Sequence, residues 1–191
     1  MMKPMKENNA ARDLRKDFFA YRNGIVADKL RNAGDPHTIV MGCLLADIMA
    51  ITSRTRDAIG DDLEQLQALA RELWSDPKSR ECRLAAPMLY PAALMTLDEA
   101  LDWCRSVETV EIADNLCHKL MRHINDADAL FRDLIAQERR LVKYTGYRLL
   151  LNLLLMGKVP ATPSLKSIIE TEAAQALPPL SVLLRDVLEE F

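Results

Sequence analysis

Apolar residues recur at intervals of three and four along almost the whole chain, and no stretch alternates in the manner of a strand. The period predicts one long amphipathic helix over about residues 11–33, tolerating Gly24 and ended by Gly34-Asp35-Pro36. A second, strongly apolar helix covers 41–54. Gly60-Asp61-Asp62 opens a third, running to Trp74, with its acidic residues in the first turn where the helix dipole favours them. Asp76-Pro77 starts a fourth through Leu89, broken by Pro91. Thr96 with Glu99 forms a capping box for a fifth through Arg105. Further helices are expected over about 109–123, 127–136, 137–156, 164–176 and 179–190. The fold class is therefore all-α, with about ten helices.

The helices also repeat in pairs. The segment LWSDPKSRECRLAAPMLY can be laid over LIAQERRLVKYTGYRLLL, so that Leu73 matches Leu134 and Ala85 matches Gly146. The segment around 101–121 falls midway between them. A period of about 30 residues predicts stacked helical hairpins, each burying its face against its neighbours. An irregular helical bundle is the alternative. Either way, 191 residues suit a single domain with an ample core, spanning 1–191.

Composition narrows the function classes. Apolar residues make up 49% and charged residues 28%, a globular balance, and the net charge of −3 excludes a generally basic nucleic-acid coat. Any nucleic-acid role must rest on a local basic patch. The cysteines at 43, 82, 104 and 117 form no CxxC pair and no zinc-finger spacing with histidine, so free core thiols in a reducing compartment are expected. The opening MMKPMKENNAARD lacks an apolar core of signal-peptide length. The longest apolar run, 149–156, is interrupted by Asn152 and too short to cross a bilayer. A cytoplasmic location without membrane contact is expected.

Two neighbouring helices carry the candidate chemistry. In the sixth, Val110, Ala113, Cys117, Leu120 and Ile124 define a buried stripe, and Asp114 lies on its flank. Glu111, Asp114 and His118 share one edge, and Asp114 and His118, one turn apart, can hydrogen-bond. A carboxylate at the lip of a groove can stabilise developing positive charge. The plainer alternative is a helix-edge Asp paired with a His or Arg. One helix edge seldom supplies a complete metal site, so no metal is expected.

In the eighth helix, Arg140, Tyr144 and Arg148 follow each other at intervals of four, flanked by Lys143 and Tyr147. Leu141, Val142, Leu149 and Leu153 lie opposite. Cations can hold phosphates, and tyrosines can pack on sugars or bases. Arg80 and Arg83 open the fourth helix at the equivalent repeat position, and Lys119, Arg122 and Arg105 add positive charge. Stacking that gathers these helix starts on one concave face would make that face basic although the molecule is acidic. A solvated, functionless face is the alternative.

Several stretches resemble the bacterial DNA alkylation repair family, the AlkD-like group. FFAYRNGIVADKLRNAGDPHTIVMGCLLADIMAIT is similar to its opening. LARELWSDPKSRECRLAAPML is similar to its "LW … S … E-x-R … A … L" repeat, TVEIADNLC to its "W-D-x-V-D" segment, and ERRLVKYTGYRLLL to its "W-x-x-R-x-A-I" segment. The resemblance covers roughly residues 11–155. It implies an α-α superhelix of HEAT-like repeats that cradles double-stranded DNA, needs no cofactor, and excises cationic N3- or N7-alkylated purines with a carboxylate near the sugar. That carboxylate matches Asp114, and Glu111 matches the earlier acid of the motif. The family's aromatics fall at Thr109 or Val110 and at Leu141, and its Arg falls at Tyr144, with Lys143 just before it. A last aromatic, from a further repeat, has no counterpart after VLLRDVLEEF. The sequence thus leaves two functions open: a divergent repair protein that binds DNA, with Asp114 as the catalytic residue of an alkylpurine glycosylase, or a non-catalytic scaffold that takes a protein or peptide.

Overall fold

The computed structural model describes residues 9–191, so part of the N-terminal stretch read above lies outside the described residues. Among the described residues the chain is all-α: eleven helices, two short 3-10 turns and one isolated parallel bridge between Ile39 and Ser79. The helices are α1 (Asn9–Ala20), α2 (Gly24–Asn32), α3 (Leu45–Ile59), α4 (Leu63–Trp74), α5 (Arg80–Leu89), α6 (Leu97–Arg105), α7 (Val110–Lys119), α8 (Ala127–Ile135), α9 (Arg140–Leu155), α10 (Pro163–Ala173) and α11 (Leu180–Leu188). None is long and apolar enough to cross a membrane. They group into two compact units, one ending at Leu94 and the other spanning Met95–Phe191.

Several boundaries follow from local cap chemistry. Asp62 accepts from the Gln65 backbone N–H at 2.9 Å and starts α4. Thr96 does the same for Glu99 at 3.3 Å and starts α6, and Thr109 caps α7 through Ile112 at 3.2 Å. The long first helix expected over 11–33 is instead two. Tyr21–Asn23 is not helical; the Asn23 backbone N–H donates to the Met41 carbonyl at 2.9 Å, and the Asn23 side chain caps α2 through Val26 at 3.2 Å. The second predicted helix begins later than expected, because residues 41–44 are not helical and Leu44 is extended. Gly42 sits at φ +76°, and a Cβ there would collide with the Asn23 carbonyl.

In the first unit α1 packs on α4 and α3 on α5. Glu81, fully buried at the start of α5, accepts from the backbone N–H groups of Met41 and Gly42 at 3.2 and 3.0 Å, just before α3. At the other end, Arg56 of α3 donates to the Met88 carbonyl at 2.9 Å. Contacts that join start to start and end to end mean that α3 and α5 run parallel.

The second unit repeats the scheme. α6 packs on α8, α7 on α9, and α9 on α11, while the consecutive pairs α8–α9 and α10–α11 form hairpins. Alternate helices thus stack in two layers, the arrangement of helical repeats. The centre of the unit is α9, whose buried residues include Val142, Thr145, Gly146, Leu149, Leu150 and Leu153. Gly146 permits the approach of α8, since a Cβ there would lie 2.8 Å from Leu134 Cβ and 2.9 Å from the Ile135 nitrogen.

Candidate functional site

The sixth and eighth helices of the sequence reading are α7 and α9, and the structure sets them side by side and parallel. Arg139, just before α9, donates to the carbonyls of Arg105 and Val107, just before α7. Lys158, after α9, donates to the Arg122 carbonyl, after α7, at 2.7 Å. Residues about one repeat apart therefore face each other.

That register brings Asp114 to Tyr144 and Arg148. The Tyr144 hydroxyl donates to Asp114 Oδ1 at 2.8 Å, and Arg148 Nε donates to the same oxygen at 2.7 Å. The second carboxylate oxygen, Oδ2, takes only a 3.3 Å bond from the Arg148 guanidinium, which also lies 3.4 Å from the Tyr144 oxygen. The Asp114 side chain is 36% exposed and that of Arg148 26%. Asp114 is thus pinned at one oxygen and open at the other.

Electrostatics reinforce the cluster. Burial, then the Asp114 charge, pushes the Tyr144 phenol up to about 12, so it remains a donor at neutral pH. The Arg148 pKa is raised: burial works against its charge, but its bonds to Tyr144 and Asp114 outweigh that. His118, read as a partner for Asp114 one turn on, is exposed, and the carboxylate's partners lie on α9. Glu111 is partly buried in the first turn of α7. Among the described residues no three His, Cys, Asp or Glu side chains are grouped to hold a metal ion. All four cysteines are free and buried.

The other candidate residues separate by burial. Arg80 and Arg83 do open α5, but they are 3% and 5% exposed. Arg80 pairs with Glu81 at 3.1 Å, and the Arg83 guanidinium stacks over Trp74 at 4.3 Å. Neither presents its charge to solvent, because α5 is buried along nearly its whole length. Tyr147, expected on the polar face of α9, is a core residue, 1% exposed; burial and then Glu172 push its phenol up to about 12. Tyr144 is 4% exposed and turned to Asp114. Lys143 is held by Glu172 of α10 at 3.0 Å. Arg140 is exposed at the start of α9.

The position of the family's Arg holds Tyr144. A guanidinium does stand beside Asp114, but it arrives from Arg148, one turn later. The clue was present in the spacing, since Asp114 and Arg148 lie 34 residues apart, close to the repeat period. Sequence reasoning also missed Glu172 as the partner of Lys143, and it passed over His123 and Lys158. The aromatic positions of the family pattern hold the partly buried Thr109, Val110 and Leu141.

No curated protein and no solved structure matches this chain. The sequence profile of the family described as DNA alkylation repair enzyme matches residues 14–175, which takes in both helical units and the α7–α9 cluster. The chain belongs to the DNA alkylation repair enzyme family.

Proposed function

We propose that this chain is a divergent DNA-repair protein that receives a nucleotide of double-stranded DNA beside α7, with Asp114 as its catalytic carboxylate. The observation that carries this reading is the unequal bonding of the two Asp114 oxygens. Oδ1 accepts two short bonds and is fixed; Oδ2 accepts one long bond and keeps acceptor capacity, on a side chain that is 36% exposed. A carboxylate so held is preorganised to stabilise positive charge outside the protein.

An N-alkylated purine is already cationic, so its glycosidic bond is weak. When that bond breaks, the bonding electrons leave with the base and the sugar becomes oxocarbenium-like. Asp114 Oδ2 stabilises that charge and orients the water that completes hydrolysis, its proton passing to solvent or to the carboxylate. Arg148 and Tyr144 act by positioning Asp114. Arg140, exposed at the start of α9, supplies a phosphate contact.

The test is base release from duplex DNA containing N7-methylguanine. The intact protein should release base, and Asp114→Asn should be slower by about 100-fold or more. No release by the intact protein ends the glycosylase reading.

A second reading, a non-catalytic scaffold for a protein or peptide, is favoured by one observation. Of the five cations read as phosphate contacts, Arg80 and Arg83 are buried, and Lys143 and Arg148 are paired with carboxylates. Absence of DNA binding at low salt would select this reading, whereas a steep fall of affinity with salt would reject it.

A further inference from the structure

Positive charge gathers at the C-terminal end of α7, beyond Asp114 and its α9 partners. His118 and Lys119 close that helix, Arg122 and His123 form the 3-10 turn after it, and Lys158 follows α9. Arg122 Nε donates to His123 Nε2 at 3.1 Å, and Lys158 Nζ donates to the Arg122 carbonyl at 2.7 Å. No carboxylate pairs with Arg122, His123 or Lys158 among the described residues. Elsewhere in the same unit Arg132 is paired with Asp128, Lys143 with Glu172 and Arg148 with Asp114.

Beside this turn lies a cavity of about 330 Å³ lined by His123, Asn125, Lys158, Asp128, Ile124 and Leu153. The one carboxylate in it, Asp128, is bonded to Arg132 of its own helix at 3.2 and 3.4 Å. Room, a hydrogen-bonding amide and unbalanced cations meet at one place. An anion with several acceptor oxygens satisfies all three, and a phosphate group is the biological anion of that size and charge.

We propose that His123 and Lys158, which line the cavity, together with Arg122 bonded to His123 and His118 in the last turn of α7, form a binding site for a phosphate group. The assignment of that phosphate to the DNA backbone rests on the repair reading; the site itself does not. Its occupancy is coupled to protons. The pKa of His118 is lowered by partial burial of the ring, then by the charges of Arg122, Lys119, His123 and Arg148. That of His123 is lowered by burial, then by Arg122 and Lys158. From α8, Asp128 faces the cavity and is paired with Arg132. Both shifts favour the neutral rings. A bound phosphate offsets the surrounding positive charge and raises both values, so binding takes up protons and affinity increases as the pH falls from 8 toward 6. The Arg122 bond to His123 Nε2 requires that nitrogen to be bare, so protonation also frees the Arg122 guanidinium for the ligand.

The experiment follows the ring signals of His118 and His123 by NMR in the whole chain, across pH 5.5–8. One arm adds inorganic phosphate and the other an undamaged DNA duplex, which isolates this site from any base excision. An upward shift of both histidine pKa values with duplex supports the site and assigns it to backbone phosphate. A shift with inorganic phosphate alone supports the site and assigns it to a free phosphate. No shift in either arm overturns the proposal. In the duplex arm Arg122→Gln and Lys158→Gln should each weaken binding about tenfold at 0.1 M salt and reduce the salt slope by about one. His118→Gln with His123→Gln should keep the pH 8 affinity and lose its rise toward pH 6; a rise that persists overturns the role of the histidines.

Discussion

Arg148 Nε donates to Asp114 Oδ1 at 2.7 Å, linking α7 and α9. Both side chains are partly exposed, so the pair is worth about 1 kcal/mol rather than the several of a fully buried one. A double-mutant cycle of Asp114→Asn and Arg148→Gln in urea should give a coupling energy of about that size. Additive effects of the two changes would show that the bond contributes nothing to the fold. Arg148→Lys should restore little, since a single ammonium cannot reproduce the fork that touches Oδ1, Oδ2 and the Tyr144 oxygen.

Tyr144→Phe removes one donor from Asp114 while keeping the ring in place. The expected cost is about 1–2 kcal/mol in unfolding free energy, with a larger loss of base release than of DNA binding if Asp114 must be held still.

The pH dependence of the tyrosines provides a separate check. Tyr144 and Tyr147 are pushed up to about 12 in the folded chain, above an ordinary value of 10. A group whose folded pKa is raised contributes stability fully present below pH 10, which is lost as the pH rises through 12. Ultraviolet titration of the folded protein should show two phenols ionising near pH 12. Tyr144→Phe and Tyr147→Phe should each delete one; ionisation of both near pH 10 would contradict the burial described.

Gly146→Ala sets two effects against each other. Alanine favours helix over glycine by about 1 kcal/mol, but here its Cβ would lie under 3 Å from Leu134 and Ile135 of α8. Overpacking at such contacts costs about 1–3 kcal/mol. Thermal unfolding should therefore show a lowered Tm.

Glu81→Gln tests the first unit. The carboxylate is fully buried, paired with Arg80 and bonded to two backbone N–H groups. Neutralising it removes the carboxylate that pairs with the buried Arg80, at a cost of about 3–5 kcal/mol. Denaturation followed by Trp74 fluorescence should register the loss.

What the sequence made legible was local. Asp62, Thr96 and Thr109 cap helices with their own side chains a few residues on, so those starts could be read from composition alone. The break between α1 and α2 could not, because Asn23 is held by the carbonyl of Met41, far along the chain. Arg80 and Arg83 look like surface cations, yet α5 is covered by α3 and α4, and periodicity within one helix does not reveal what packs on its polar side. The same limit hid Tyr147 in the core. Asp114 was legible as a flank residue, but its partners were not, since the i, i+4 rule pointed to His118 on the same helix whereas the register between helices selects α9.

The parallel register of α7 and α9 has a consequence for the lifetime of the site. The carboxylate and the guanidinium belong to different helices, α7 and α9, and neither helix owns the pair. The cluster exists only while α7 and α9 are docked, so separating the two helices breaks it even if each stays helical. Amide exchange at the α7–α9 seam, rather than helix content, is then the measure of how much of the time the protein holds a formed site.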